Sequence, residues 1–246
     1  MDQLILTERR ENYAILTLNR PEKANAVNVA MVDQFVAALR DLEDAGVIVL
    51  AAAGDRSFCA GVDQKERGAS RGWATSLGAG RGQFWLEANE VLKNHPAVVI
   101  SAVKGVALGG GLTLVNNSEL VVAATTAQFG APELGFGHFP ALSGPTTIKR
   151  LLPKHAAQAI LLADRIDAAT ALQWGMVNYV VPPEEVLSTA CELADKIGSR
   201  DRYALAFIKR ALREMFDMPW HTAIDYGAQM SSLVIHTRAA FAEPAE

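Results

Sequence analysis

Cysteine is scarce in this sequence, and long apolar runs are missing. The 246 residues include two cysteines, Cys59 and Cys191, which are too few for a disulfide framework or a cysteine-rich metal site. No apolar run reaches the roughly 20 residues needed to cross a bilayer, and the opening MDQLILTERREN does not have the pattern of a secretory signal. We therefore expect free thiols, no membrane partner and a cytoplasmic location.

Histidine clusters and basic clusters are missing as well. The five histidines are scattered without HExxH or similar ligand spacing, so no metal site is predicted. Acidic and basic residues are interspersed, the formal net charge is −4, and no long basic run is present, which argues against a nucleic-acid partner. The chain is long enough, and at 50% apolar residues rich enough, for one large core or a core with a helical appendage.

The sequence does contain an alternation of strand-like and helix-like segments. YAILTLNRP predicts a half-buried strand that stops at a proline, and VNVAMVDQFVAALRDLED has apolar residues at helical spacing until Gly46. VIVLAAAG and AVVISAVKG are typical of buried parallel strands, and the helix-compatible GQFWLEANEVLKNH lies between them. This order predicts βαβ units with right-handed crossovers and a largely parallel sheet.

The last third of the sequence is dominated by helical patterns, with Asp167 as a predicted N-cap before AATALQWG. We predict a sheet-based core over residues 1–187 and a helical region over residues 188–246. The apolar stripes of that region need a partner surface, which favours oligomerisation. The glycine-rich segment RGASRGWATSLGAGRG, with three arginines, is predicted to be a mobile loop.

Three consecutive glycines stand between two apolar runs in GVALGGGLTLVNN, Gly105 to Asn117. Glycines at a strand-to-helix junction permit tight turning, and the first N–H groups of a helix have no partner inside it. Such donors can hold an anion or a developing oxyanion, although tight packing against a sheet is the commoner use of glycine. The triplet matches neither GxGxxG nor GxxxxGK[ST].

Five segments resemble, in order and spacing, the signature segments of the enoyl-CoA hydratase/isomerase family, also called the crotonase family. They are NRPEKANAVN, SFCAGVDQKE, AVKGVALGGG, AQFGAPELGFG and ATALQWGMVNYVV. The resemblance extends from about Leu16 to Val181, and more weakly through the C-terminal helices. It implies an α/β, crotonase-like fold of repeated ββα units with a helical C-terminal oligomerisation region. It also implies an acyl-CoA substrate and no cofactor beyond the coenzyme A of that substrate.

The resemblance implies an oxyanion hole made of two backbone N–H groups, which bind the thioester oxygen and stabilise an enolate. The matching positions are Val62 and Gly110. It also implies CoA contacts made mainly by backbone groups, with Lys23 as a phosphate contact, although lone lysines are usually just exposed. The matching CoA positions are Lys23, Ala24, Ala26, Ala60, Asp63, Gln64 and Lys65.

Hydratases of the family use two glutamates, and this sequence keeps one of them. The matching catalytic positions are Thr113 and Glu133. Because a threonine hydroxyl is not a free base near neutral pH, two-glutamate activation of water is not expected. A single carboxylate suffices to move a double bond, so we predict an enoyl-CoA isomerase with Glu133 as the proton-transfer residue.

Several alternatives to isomerisation stay open. Family hydratase-lyases that act on hydroxycinnamoyl-CoA pair the same glutamate with a small hydroxyl residue, so hydration or hydratase-lyase chemistry is the second reading. Decarboxylation and carbon–carbon bond formation use the same enolate. An acyl-CoA-binding member of the family without turnover is an alternative of another class. The acyl group and the pathway are not readable from the sequence.

The resemblance also suggests a pocket for the acyl group and an assembly. Trp73, Trp85, His138 and Phe139 are pocket candidates, although such aromatics are commonly core residues and a lone histidine is commonly a packed one. In the family, C-terminal helices pack between subunits, so we expect a homotrimer or a dimer of trimers. Lys209 is then a candidate contact to a neighbour's CoA, with an ordinary surface lysine as the alternative.

Overall fold

The computed structural model describes residues 2–63, 74–75, 78–79 and 83–241. Three residues with predicted roles, Gln64, Lys65 and Trp73, lie outside the described residues, as does most of the predicted arginine-bearing loop. Within the described ranges, no helix combines the length and the apolar character that a bilayer crossing requires.

Strands and helices alternate along the described chain, as the sequence pattern predicts. Strands β1 to β12 are Ile5–Arg9, Ala14–Leu18, Val47–Ala52, Ser57–Cys59, Ala74–Thr75, Gly78–Ala79, Val98–Val103, Val106–Leu108, Leu120–Ala124, Gln128–Gly130, Ile166–Asp167 and Tyr179–Val181. Helices α1 to α9 are Val29–Asp41, Gln83–Asn94, Gly110–Asn117, Ser143–Arg150, Pro153–Leu161, Ala168–Gln173, Val186–Gly198, Arg202–Glu214 and Trp220–Phe241. Short 3-10 helices cover Pro21–Lys23, Pro132–Phe136, Pro183–Glu185 and Met215–Asp217.

Two main sheets organise the fold. The larger has the order β1-β2-β3-β7-β9-β12, and its pairs are parallel except for the antiparallel β1–β2 pair. The prediction of a largely parallel sheet is therefore confirmed. A second sheet has the order β11-β10-β8-β4, in which β4, β8 and β10 run parallel. The sequence pattern did not predict this sheet, because each of those three strands is only three residues long.

The two sheets are built by a repeated strand pair. In the pairs β3–β4, β7–β8 and β9–β10, the first strand joins the six-stranded sheet and the second joins the four-stranded sheet. Helices α2, α3 and α4 come after the three pairs in chain order. Consecutive units therefore bring the ends of their second strands to one edge of the sheet, and the predicted site residues follow those ends.

The core lies between the six-stranded sheet and the helices that cover it. Helix α1 buries residues three or four positions apart, including Phe35 and Leu39, and each such side chain contributes about 1.5–3 kcal/mol on burial. Helix α7 buries Val186, Ala190 and Ala194 and packs on β3, β7 and β9. Because α7 begins at the predicted boundary, the helical region contributes to the core through α7. A separate role for the residues after it stays a prediction.

The predicted cap at Asp167 is confirmed. Its side chain accepts a hydrogen bond of 2.7 Å from the N–H of Thr170 at the start of α6. That bond favours the charged carboxylate and lowers the pKa of Asp167.

Candidate active site

The predicted site residues follow the carboxyl ends of three adjacent parallel strands. Strand β8 lies between β4 and β10. Strand β4 leads to Ala60, Gly61 and Val62, β8 leads to the glycine triplet, and β10 leads to Glu133. Because carboxyl ends of parallel strands meet at one edge of a sheet, three segments far apart in sequence converge there.

The two predicted oxyanion donors belong to loops that touch. A Cβ at Gly61, where φ is +91°, would lie 3.2 Å from the N atom of Gly110. Val27 donates to Gly61 O at 2.8 Å and accepts from the N–H of Asp63 at 2.9 Å, so the N–H of Val62 lies on the side away from Val27. Gly110 is the first residue of α3, so its N–H has no partner inside the helix.

Each glycine of the triplet makes a close approach that a side chain would prevent. A Cβ at Gly109, where φ is +52°, would lie 3.1 Å from Glu133 Oε1. At Gly110 a Cβ would lie 2.6 Å from Trp85 Nε1, and at Gly111 it would lie 2.1 Å from the carbonyl oxygen of Cys59. The triplet therefore lets Glu133, Trp85 and strand β4 all approach the first turn of α3.

Glu133 is held against this turn in a half-buried position. Its Oε1 accepts a hydrogen bond of 2.6 Å from Ser143 Oγ. Its Oε2 is buried and has no hydrogen-bond partner among the described residues. The main-chain turn is closed by the N–H of His138, which donates to Glu133 O at 2.9 Å. The carboxylate therefore has one tethered oxygen and one unpaired oxygen.

Thr113 is buried within α3 and uses its hydroxyl on the helix backbone. Its side chain donates from Oγ1 to Gly109 O at 3.2 Å, and its N–H donates to the same oxygen at 3.1 Å. The residue is only 1% exposed. Because the hydroxyl proton is committed to Gly109 O, Thr113 supports the turn that carries the donor at Gly110.

The three predicted pocket residues that the structure describes are one buried and two exposed side chains. Trp85 is 1% exposed, donates from Nε1 to Gly110 O at 3.0 Å, and packs against Phe35 with ring centroids 6.0 Å apart. That burial favours support of the triplet from behind over direct contact with a substrate. His138 and Phe139 are exposed, on the segment that follows Glu133.

The predicted CoA residues lie on two segments that are tied together. Lys23 is exposed at the end of a 3-10 helix, and Ala24 follows with φ at +53°. Ala24 O accepts from the N–H of Ala60 at 3.1 Å and from Ser57 Oγ at 2.9 Å. The structure thus brings Ala24 and Ala60 together, with Ala26 two residues along the chain from Ala24.

Asp63 is engaged in a largely buried ion pair. Its Oδ2 lies 2.7 Å from Arg20 Nη1, and that nitrogen also donates to Ala26 O at 2.9 Å. Asn25, fully buried, donates to the carbonyl oxygens of Ala53 and Ser57. Sequence reasoning missed Arg20 and Asn25, although both lie in the NRPEKANAVN segment. The available signals were the charge of Arg20 and the position of the Asn25 amide between two alanines.

The expectation for Lys209 is wrong in both of its forms. The side chain is 1% exposed, its Nζ donates to Ala97 O at 2.7 Å, and Nζ lies 3.3 Å from Glu119 Oε2. Burial lowers the pKa of Lys209. An amine enclosed in its own subunit neither reaches a neighbour's CoA nor acts as a surface charge. Its position on an amphipathic helix gave no sign of the distant carboxylate.

Comparison with known proteins gives consistent matches. The sequence profile of a family described as Enoyl-CoA hydratase/isomerase matches residues 8–243. A Short-chain-enoyl-CoA hydratase from Clostridium acetobutylicum is 32% identical over 232 residues, which is 92% of this chain and 87% of that protein. A 1,2-epoxyphenylacetyl-CoA isomerase from Escherichia coli is 32% identical over 229 residues, with the same two coverages of 92% and 87%. A crystal structure of an enoyl-CoA hydratase from Bacillus anthracis has a TM-score of 0.88 and 28% identity, covering 95% of this chain and 92% of that chain.

Proposed function

The chain belongs to the enoyl-CoA hydratase/isomerase family and has its α/β fold, and from that premise we propose that it is an enoyl-CoA double-bond isomerase with Glu133 as the proton-transfer residue. The observation that carries the proposal is that two kinds of group occur in one site. Glu133 has one carboxylate oxygen without a hydrogen-bond partner among the described residues, and two touching loops carry the backbone N–H groups of Val62 and Gly110. The substrate class is a 3-enoyl-CoA thioester.

The N–H groups of Val62 and Gly110 bind the thioester oxygen in this proposal. As a proton leaves carbon 2, the oxygen gains negative charge, and fixed dipoles stabilise that charge without reorganising. Loss of one such donor typically raises the barrier by about 3 to 4 kcal/mol. Backbone N–H groups also do not ionise near neutral pH, so they stay donors whatever the protonation state of the base.

Glu133 moves one proton between two carbons of the substrate. Its carboxylate takes the proton from carbon 2, and the electrons of that C–H bond pass into a dienolate. The proton then returns at carbon 4, while the carbonyl re-forms and a double bond appears between carbons 2 and 3. Atoms and electrons balance within the substrate, so the reaction needs no redox cofactor.

The state of Thr113 supports isomerisation over hydration. Hydration needs a second group that activates or orients water, and the hydroxyl of Thr113 is buried and donates to Gly109 O. A proton shift needs only Glu133 and the oxyanion hole. The proposal therefore uses the groups present without assigning the threonine a task for which its chemistry is unsuited.

Hydration is the second candidate, because most of the relatives that this chain resembles are named hydratases. The Clostridium acetobutylicum relative is named a hydratase at 32% identity, whereas the Escherichia coli relative at the same identity is named an isomerase. In hydration, or in hydratase-lyase chemistry on a hydroxycinnamoyl-CoA, Glu133 would take a proton from water or give one to it.

A substrate panel tests the proposal. Wild-type protein is incubated with 2-enoyl, 3-enoyl and hydroxycinnamoyl-CoA thioesters, and the products are separated by chromatography. We expect conversion of a 3-enoyl to a 2-enoyl thioester. Formation of a 3-hydroxyacyl thioester as the main product would select hydration, cleavage to an aldehyde would select the lyase reaction, and binding without turnover of any thioester would select a non-catalytic role.

Glu133→Gln tests the assigned base. The amide keeps the shape of the side chain and removes the base, so we expect kcat to fall about 10³-fold or more while acyl-CoA binding changes little. Glu192→Gln, which removes an exposed carboxylate on α7, is the matched control and should retain the wild-type rate. A Glu133→Gln variant with most of the wild-type rate would place the chemistry elsewhere.

The CoA site and the assembly complete the proposal. The tied segments around Ala24 and Ala60 would receive the CoA moiety, with exposed Lys23 as a phosphate contact.

A trimer or a dimer of trimers is supported by large apolar side chains that α8, α9 and the turn between them expose. They are Ile208, Leu212, Phe216, Trp220, Ile224, Leu233 and Ile235. Closed cyclic symmetry would bury this same patch on every copy.

A further inference from the structure

Ser143 makes a side-chain hydrogen bond to the carboxylate of Glu133. It is the first residue of α4 and is fully buried. Its Oγ donates to Glu133 Oε1 at 2.6 Å, within the range of short, charge-assisted O–H to carboxylate bonds. The partner residues are ten positions apart, joined by an exposed turn, so the bond spans the loop that carries His138 and Phe139.

This bond makes the two oxygens of Glu133 unequal. Oε1 is occupied by Ser143 and also lies near the space that a Cβ at Gly109 would fill, at 3.1 Å. Oε2 is buried and unpaired among the described residues. A buried acceptor without a partner costs free energy in the resting protein, which is explained if that atom receives a group from a bound substrate.

Ser143 is itself fixed by contacts between α4 and α3. Asn116 of α3 donates from Nδ2 to Thr146 Oγ1 at 3.2 Å and to Thr147 Oγ1 at 3.1 Å. Arg150 returns a bond of 2.6 Å from Nε to Asn116 O. Because α3 also begins with the donor at Gly110, the tether of the carboxylate and one half of the oxyanion hole are held on the same pair of helices.

We propose that Ser143 is a positioning residue for the proton transfer, which holds Glu133 through Oε1 and thereby leaves Oε2 as the oxygen that exchanges the substrate proton. The inference rests on the proposed role of Glu133. Without the tether the side chain can rotate, and both oxygens leave the geometry that the backbone donors define. A misplacement on the order of 1 Å can cost about 100-fold in rate.

The test is steady-state kinetics of Ser143→Ala on the 3-enoyl-CoA that the wild-type protein converts fastest. We expect kcat to fall about 10- to 100-fold with KM changed by less than about threefold, because the tether orients the base and does not bind the thioester. The rate at which solvent deuterium enters carbon 2 should fall by the same factor. The matched control is Ser101→Ala, which removes a buried hydroxyl in β7 that lies 2.7 Å from Ser118 Oγ. It should leave both rates unchanged.

A double-mutant comparison separates positioning from packing. In a Glu133→Gln background, Ser143→Ala should cause no further loss of residual carbon 2 exchange, because the base that Ser143 orients is already gone. If Ser143→Ala does not fold, Ser143→Cys keeps the shape of the side chain with a somewhat larger atom and a weak donor, and it should fold with reduced kcat and unchanged KM.

Several results would overturn the inference. The first is a kcat within twofold of wild type for Ser143→Ala or for a folded Ser143→Cys. The second is a rise in KM at unchanged kcat for either variant. The third is an additive loss of carbon 2 exchange when Ser143→Ala is combined with Glu133→Gln. An inactive Glu133→Gln beside a fully active Ser143→Ala would overturn this inference alone. A fully active Glu133→Gln would overturn the proposed function and this inference with it.

Discussion

Gly110→Ala is a direct test of whether the first turn of α3 positions an oxyanion donor. The added Cβ would lie 2.6 Å from Trp85 Nε1 and 2.9 Å from Cδ1. The indole cannot easily yield, since it is 1% exposed, packs on Phe35 and donates to Gly110 O. The first turn of α3 therefore has to move away from the ring.

The size of the effect follows from the overlap. An ordinary contact is about 3.5 Å, so a separation of 2.6 Å requires a shift of roughly 0.9 Å in the position of residue 110 and its N–H. A displacement of that order costs about 100-fold in rate where a transition state needs a fixed geometry. Overpacking adds about 1–3 kcal/mol of destabilisation, which for a chain of this length lowers Tm by about 2–12 °C.

The assay combines thermal unfolding with kinetics on a 3-enoyl-CoA that the wild type converts. The matched control is Gly135→Ala, where a Cβ would lie an ordinary 3.9 Å from Ala163 Cβ and which is also close to Glu133 in sequence. The control should keep the wild-type rate. The reasoning is refuted if Gly110→Ala lowers Tm as expected while the folded protein retains full kcat/KM, because the donor would then lie elsewhere.

Three further predictions address the threonine, the pH dependence of stability and the assembly. Thr113→Val should lower kcat less than tenfold, because the Thr113 N–H still donates to Gly109 O, and complete loss of turnover would give the hydroxyl an essential role. Burial lowers the pKa of His95, whose Nε2 lies 2.9 Å from Leu39 O, so the unfolded chain binds a proton first and stability should fall as the pH drops below about 6.5. Urea unfolding of His95→Gln should lack that part of the pH dependence, and an unchanged dependence would assign it to other groups. Light scattering of the wild type should give the mass of a trimer or a hexamer, and Trp220→Glu should give a smaller mass because it puts a charge on an exposed apolar position. A monodisperse, fully active wild-type monomer would contradict the proposed assembly.

Periodic patterns were sufficient to predict the larger elements of the fold. Helix α1 and strands β3 and β7 repeat one type of environment over many residues, so composition and spacing identify them. The N-cap at Asp167 was predictable for a related reason, since a capping side chain acts on a residue three positions away. Local interactions leave local patterns.

Contacts between distant segments left no such pattern. Trp85 and Gly110 are 25 residues apart, and Lys209 and Ala97 are 112 apart. The strands of the second sheet are three residues long and contain too few positions to show alternation. The contact of Ser143 with Glu133 depends on the path of the nine intervening residues, which no periodic pattern describes.

The packing use and the proposed catalytic use of the glycine triplet impose the same requirement on this chain. A side chain at Gly109 would displace the carboxylate of Glu133, and a side chain at Gly111 would push α3 away from Cys59 O. Cys59 ends the strand that leads to Val62, so the separation of the two proposed oxyanion donors is set by how closely α3 packs on β4. A substitution that merely loosened this contact would widen the oxyanion hole without touching a donor. Three side chains are absent because Glu133, Trp85 and the end of β4 approach the first turn of α3 too closely for a Cβ to fit without displacing them.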